Sequence, residues 1–211
     1  MVTELAGTLA IVLAAGQSSR TGAQHKLLAP DADGCPMLVR TLDTTLRSAA
    51  AHVLVLLPPN RPDLAALPHA LPDYGTRLST QTVVDAQKGL SASLHAGVRA
   101  AQARKARSLL VCLGDMPLVP TQLLNALLHT QHTTQAPVVA VQRHGRPGNP
   151  AVWSSALFAD LLNITGDQGG RTLLRALGAA VRLQPAPTEV LEDFDTPDRL
   201  AQFARMPRPA S

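Results

Sequence analysis

Aromatic residues are nearly missing from this 211-residue chain: three Phe, one Tyr and one Trp, 2% of the total. A core without rings must be built from Leu, Val and Ala, and a hydrophobic share of 45% is enough to supply one. The same scarcity argues against binding single-stranded nucleic acid, where bases stack on aromatic platforms. Cysteine is scarce too. Cys35 and Cys112 make no C-x-x-C pair and no metal-ligand set, and Cys112 lies in an apolar run that reads as core. No stretch approaches the ~18 apolar residues of a membrane span. Glu4 near the start, with no basic segment before Ala6, argues against a secretory signal. The expectation is a reduced, cytoplasmic protein with no membrane partner. The excess of 19 Lys and Arg over 15 Asp and Glu is spread along the chain, so no basic arm for nucleic acid is present.

Two familiar phosphate motifs are also absent. The P-loop needs four residues between its glycines and a lysine after the second, but here five separate Gly16 from Gly22 and Ala23 follows. The dinucleotide fingerprint needs glycine where Ser18 stands, which disfavours a nicotinamide oxidoreductase. What is present is Leu13-Ala14-Ala15-Gly16-Gln17-Ser18-Ser19-Arg20-Thr21-Gly22, with Lys26 just beyond. It follows an apolar run, Leu9 to Leu13, that reads as a buried first strand. Glycines let such a loop turn tightly and approach a ligand, and its backbone N–H groups form a concavity for anions. An ordinary strand-to-helix turn would leave Arg20 and Lys26 idle. A cradle for a polyphosphate at the carboxyl end of a first strand uses both.

Further along, Pro36 to Ala50 carries Leu38, Leu42, Leu46 and Ala49 on one helical face. Val53 to Leu57 then reads as a second buried strand, and this order points to a right-handed crossover in a parallel sheet. A short helix is expected around Asp63–Leu67, and Gln81 to Val84 is a short strand candidate. Gly89, Ser91 and Ser93 stand at the start of a helix running through Arg104, where free N–H groups favour a phosphate or a base edge. Ser108 to Leu113 is the most convincing central strand and runs straight into Gly114-Asp115-Met116-Pro117. A carboxylate just past a buried strand is well placed to hold a hard cation against a phosphate. Thr121 to Gln131 reads as an amphipathic helix and Pro137 to Val141 as a strand. The stretch 143–152, with Arg146, Pro147, Gly148, Asn149 and Pro150, reads as an exposed, shaped loop. Ser154 is expected to cap a helix through Asn163. Gly169, Gly170 and Arg171 then open another helix as a possible second anion site. Ala180 to Leu183 reads as an edge strand. Thr196 and Pro197 read as the cap and first residue of a last helix, and 206–211 as a frayed tail.

No linker or repeat interrupts this alternation of strand and helix. The expected fold class is therefore α/β: one domain over 1–211, a three-layer αβα arrangement with a mostly parallel, Rossmann-like sheet.

The pattern L-A-A-G-x-S-x-R-x-G-x-x-x-K resembles the signature loop of the MobA-like nucleotidyltransferases, and in its Ala-Ala-Gly form the molybdenum cofactor cytidylyltransferases. Leu-Gly-Asp-Met-Pro at 113–117, Gly-Leu-Ser-Ala-Ser-Leu at 89–94 and Asp-Phe-Asp-Thr-Pro at 193–197 resemble further segments of that family. The resemblance implies a nucleotidyltransferase fold and transfer of CMP from CTP to the phosphate of molybdopterin, with Mg2+ and release of pyrophosphate. It implies Arg20, Lys26 and Asp115 as catalytic residues. Leu13, Ala14, Ala15, Gly16, Ser18, Gly22, Lys26, Gly89, Ser91 and Ser93 fall on the nucleotide. The metal falls to Asp115 with Asp193 or Asp195, of which Asp193 is favoured. Arg146, Asn149, Gly169, Gly170 and Arg171 fall on the acceptor side. A molybdoenzyme or its chaperone is the implied recipient. Ala15 points to CTP rather than GTP, because a methyl there narrows the base pocket. The alternatives are GTP or another small phosphorylated acceptor, and a non-catalytic molybdopterin-binding chaperone.

Overall fold

The computed structural model describes residues 5–16, 25–143, 145–166 and 170–208. In chain order the elements are β1 (Leu5–Leu13), α1 (Met37–Leu46), β2 (Ala50–Leu57), α2 (Pro62–His69), β3 (Leu78–Thr82), α3 (Leu90–Ala103), β4 (Ser108–Leu113), α4 (Thr121–Thr134), β5 (Val138–Arg143), β6 (Arg146–Ser154), α5 (Phe158–Leu162), α6 (Arg171–Leu177), β7 (Val181–Pro185) and α7 (Pro197–Phe203). The strands form one seven-stranded sheet in the order β3-β2-β1-β4-β6-β5-β7. β1 is parallel to both β2 and β4, β2 to β3 and β5 to β7, while β6 runs antiparallel to β4 and β5. The mostly parallel α/β sheet expected from the alternation is what the chain builds.

Side-chain alternation along the strands divides the core in two. Ala10, Val12 and Ala14 of the first strand and its extension, with Leu110 and Cys112 of β4, pack with residues of α1, α4 and α7. Leu9, Ile11, Leu13 and Ala15, with Leu109 and Val111, pack against α3, α5 and α6. Both faces of β1 and β4 are thus covered, which is why these strands read as unbroken apolar runs. At Gly97 of α3 an added Cβ would lie 2.4 Å from Ile11 Cδ1, so the missing side chain is what lets the helix lie close on the sheet.

The chain departs from expectation at three places. β3 starts at Leu78 rather than Gln81, because fully buried Leu78 pairs with Val53 and opens the ladder. The stretch 143–152 is a hairpin arm rather than a loop. β6 enters the sheet between β4 and β5, and Ala140 pairs with Ala151 while Val141 pairs with Gly148. Asn149 and Pro150 are therefore extra residues in that ladder, a bulge, which is where a sheet accepts proline. Residues 206–208, expected to fray, are held. The Ala32 N–H donates to the Met206 carbonyl at 3.2 Å. The Arg208 N–H donates to Asp33 at 2.7 Å, and its guanidinium to Asp43 at 3.0 Å.

Candidate active site

The order of the strands sets the position of the site. From β1 the chain crosses to β2 on one side, and β4 later adds on the other. In such a sheet the crevice for a ligand opens outside the carboxyl ends of the strands where the order reverses. Leu13 and Leu113 are register partners at those ends. The segments that leave them, Ala14–Gly16 and Gly114–Asp115, therefore start side by side. The Gly114 N–H donates to the Leu13 carbonyl at 3.0 Å, and the Ala14 N–H to Leu56 at 2.9 Å. A Cβ at Gly114 would stand 3.2 Å from the Leu13 oxygen, so glycine is what permits this approach. From α1, the Thr41 hydroxyl donates to the Gly114 carbonyl at 3.1 Å and pins the turn that carries Asp115.

Gly16 is a different case. It is exposed, its φ is not left-handed, and among the described residues nothing lies within 4 Å of where its Cβ would be. No backbone strain and no described neighbour asks for glycine there. Ser18, Arg20 and Gly22 lie outside the described residues, as does Gly169.

Lys26, in a short turn of 3-10 helix from Lys26 to Leu28, is the centre of the charged cluster. Its ammonium bonds Asp115 Oδ2 at 2.5 Å and also Asp195 Oδ1. The three side chains are 15%, 17% and 29% exposed. Burial of the ammonium pulls its pKa down, but Asp115 and Asp195 outweigh that and hold it above the ordinary lysine value. The lysine therefore stays charged. Two carboxylates from distant parts of the chain here converge on one cation, and both offer hard oxygen donors. Among the described residues no group of three or more His, Cys, Asp or Glu is placed to hold a metal. A divalent cation would have to use this pair and complete its shell with water and phosphate oxygens, as magnesium-like ions do.

Asp193, the favoured partner of Asp115, pairs instead with Arg143, and it is Asp195 that shares the Lys26 ammonium with Asp115. Phe194, between Asp193 and Asp195, is fully buried and stacks at 5.2 Å on Phe203 of α7. With that ring anchored inward, Asp193 forms an ion pair with Arg143 at 3.5 Å, and Asp195 meets Lys26. Thr196 then caps α7, its hydroxyl accepting from the Arg199 N–H.

Gly89 caps α3 with φ of 96°, a conformation that favours glycine, and no side chain caps that helix start. Ser91 and Ser93 are buried in its first turn. Leu90 and Leu94 from this helix, with Leu13, Val111, Asn149, Trp153 and Gly170, line a narrow cleft. The structure thus brings Asn149 and Gly170 to the same cleft as Leu13, while Arg146 and Arg171 are exposed outside that lining. Gly170 lies flat on the indole of Trp153: an added Cβ would come within 2.8 Å of Cζ2. Because a buried indole cannot swing away, Gly170→Ala should displace the start of α6. The expected result is destabilisation of about 1–3 kcal/mol, read as a lower melting midpoint.

One residue of the site has no motif to announce it. His25 is 5% exposed. Its Nε2 bonds the Gly16 carbonyl at 2.9 Å, and its Nδ1 accepts the Leu27 N–H at 3.4 Å. Burial lowers its pKa below the usual 6.5 and keeps the ring neutral.

A crevice at a strand-order reversal with a carboxylate pair around a cation is the setting of a phosphate-handling α/β enzyme, and the class here is the nucleotidyltransferases. The chain belongs to the family of the MobA-like NTP transferase domain, whose model matches residues 10–181. It is 32% identical over 204 residues to the purine catabolism protein PucB of Bacillus subtilis, covering 93% of this chain and 96% of that one. A probable molybdenum cofactor guanylyltransferase of Mycobacterium avium is 31% identical over 136 residues, 64% of this chain and 62% of that one. The crystal structure of Rv0371c from Mycobacterium tuberculosis superposes with a TM-score of 0.74 at 26% identity, covering 97% and 98% of the two chains. That protein has also been crystallised in complex with manganese.

Proposed function

We propose that this nucleotidyltransferase moves CMP from CTP to the phosphate of molybdopterin in its molybdenum form, with Mg2+ and release of pyrophosphate. The observation that carries this reading is the junction of Gly16, Asp115, Lys26 and Asp195 at the ends of β1 and β4. The triphosphate lies over the Ala14–Gly22 loop, and its base meets the Gly89–Ser93 start of α3. Asp115 and Asp195 would hold the magnesium ion, which would supply charge neutralisation on the phosphates. A phosphate oxygen of the acceptor forms a bond to the α-phosphorus in line. The bond from that phosphorus to the bridging oxygen breaks, and its electron pair leaves with pyrophosphate. The acceptor is already ionised, so no strong general base is needed. Lys26, with Arg20 by its place in the motif, meets the charge that gathers on the α-phosphate and the leaving group. The acceptor lies against the rim that Asn149 and Gly170 form, with Arg146, Gly169 and Arg171 at its approach.

The choice of CTP rests on Ala15. Its methyl is buried in the apolar cluster of Leu13 and Leu94, and a glycine there would leave that volume to a larger base. The second reading keeps the residues and changes the base to GTP, in keeping with the guanylyltransferase named among the relatives. Protein, Mg2+ and molybdenum cofactor incubated with each triphosphate separate the two by pyrophosphate release. CTP should give at least about tenfold the rate, the discrimination that one to two methylene-sized contacts supply. Equal or faster release with GTP would refute the base assignment. Tight cofactor binding with no pyrophosphate from any triphosphate would make the protein a carrier.

A further inference from the structure

We propose that His25 is a positioning residue for nucleotide binding: its Nε2–H locks the Gly16 peptide so that the carbonyl oxygen cannot turn toward the phosphates. The inference rests on the reading of the Ala14–Gly22 segment as the phosphate loop. A trans peptide carries its C=O and its N–H on opposite edges of one plane. A flip of that plane exchanges a donor for an acceptor, and a carbonyl oxygen facing a triphosphate adds repulsion where an anion cradle needs N–H groups. Gly16 offers little resistance to such a flip, since it has no side chain. The bond from His25 holds the carbonyl at 2.9 Å, on a ring that is itself buried.

The donor is fixed by the other side of the ring. Nδ1 accepts the Leu27 N–H, and a neutral imidazole that accepts at Nδ1 carries its proton on Nε2. The surroundings favour this neutral form. Burial is the strongest influence, the bond to Gly16 opposes it, Arg61 and Lys26 add to it, and Asp63 opposes it again. His25 touches no reacting group in the proposed chemistry. It acts through Gly16 on one side and through the turn that begins at Lys26 on the other.

Two amide side chains dissect the two nitrogens. His25→Gln places an N–H near Nε2 and keeps the donor to Gly16. His25→Asn places an oxygen near Nδ1 and keeps the acceptor for Leu27. His25→Ala keeps neither. The probes are Mg2+–CTP, Mg2+–GTP and base-free Mg2+–tripolyphosphate, titrated calorimetrically against each full-length variant, with melting curves to show that each is folded. The Ala and Asn variants should bind all three probes about tenfold more weakly, the value of one net hydrogen bond near its upper range. The Gln variant should stay within about twofold of wild type by the same measure. In steady state the loss should appear in KM for the triphosphate, with kcat at saturation unchanged. Rescue by Asn but not by Gln would reduce His25 to a cap for the Leu27 turn and overturn the lock. Unchanged binding by His25→Ala, or equal losses in all three variants, would overturn it as well. If wild type binds none of the probes, the phosphate-loop reading itself fails.

Discussion

Asp115→Asn should lower turnover by at least about 10³-fold, ~4 kcal/mol of transition-state stabilisation, at saturating triphosphate. The carboxylate stands on a turn that α1 pins through Thr41, next to the end of β1 and in contact with Lys26. Asparagine keeps the shape and can still accept from the lysine, but it loses the charge that holds a hard cation. The fold should survive, because Asp195 keeps the Lys26 ammonium paired and the asparagine oxygen still accepts from it, so the loss should stay at about 1 kcal/mol. For a chain of this size that corresponds to a melting midpoint within about 4 °C of wild type. Pyrophosphate release and a melting curve on the same preparation check both statements. Near-normal rates would remove Asp115 from the mechanism.

The second large effect separates two carboxylates that stand two residues apart. Asp195→Asn should cost about 10–100-fold in kcat/KM, the range for losing a hydrogen bond or ligand contact made by a charged group. It should also raise the Mg2+ concentration needed for half-maximal rate. Asp193→Asn should change neither by more than about twofold, because its partner is Arg143 in a pair 32% and 40% exposed, where ion pairs are weak. The contrast is sharper than either result alone, since both substitutions remove one negative charge from the same segment and leave Phe194 in the core. A larger loss from Asp193 than from Asp195 would move the metal to the other side of that ring and sink the arrangement around Lys26.

How much of this was legible in the chain depends on the kind of interaction. β4 is readable to the residue because a strand buried on both faces shows as an unbroken apolar run with a turn at its end. The cap at Thr196 and the proline after it are equally local signals. β6 is hidden because a strand that passes through a bulge with Pro147, Gly148 and Pro150 carries the composition of a loop. The partner of Asp115 is not local at all. Asp193 and Asp195 are the same residue type in the same segment, and the choice between them is made by the anchoring of Phe194 and by Arg143 arriving from β5. His25 is legible to no pattern, since a single histidine beside a lysine has no spacing to test. Its meaning comes from the Gly16 carbonyl, nine residues back across the loop.

The bulge at Asn149 and Pro150 bears on how this scaffold can change. A residue gained or lost there falls outside the ladder, and Ala151 to Trp153 keep their partners on β4 and β5. Chain length at that point is thus a variable open to evolution or design: the wall that Asn149 contributes to the cleft beside Trp153 can be reshaped by insertion while the strands stay in register. A library randomised in length and composition at 149–150 would show how far that wall can change while Val141 keeps Gly148 and Ala140 keeps Ala151.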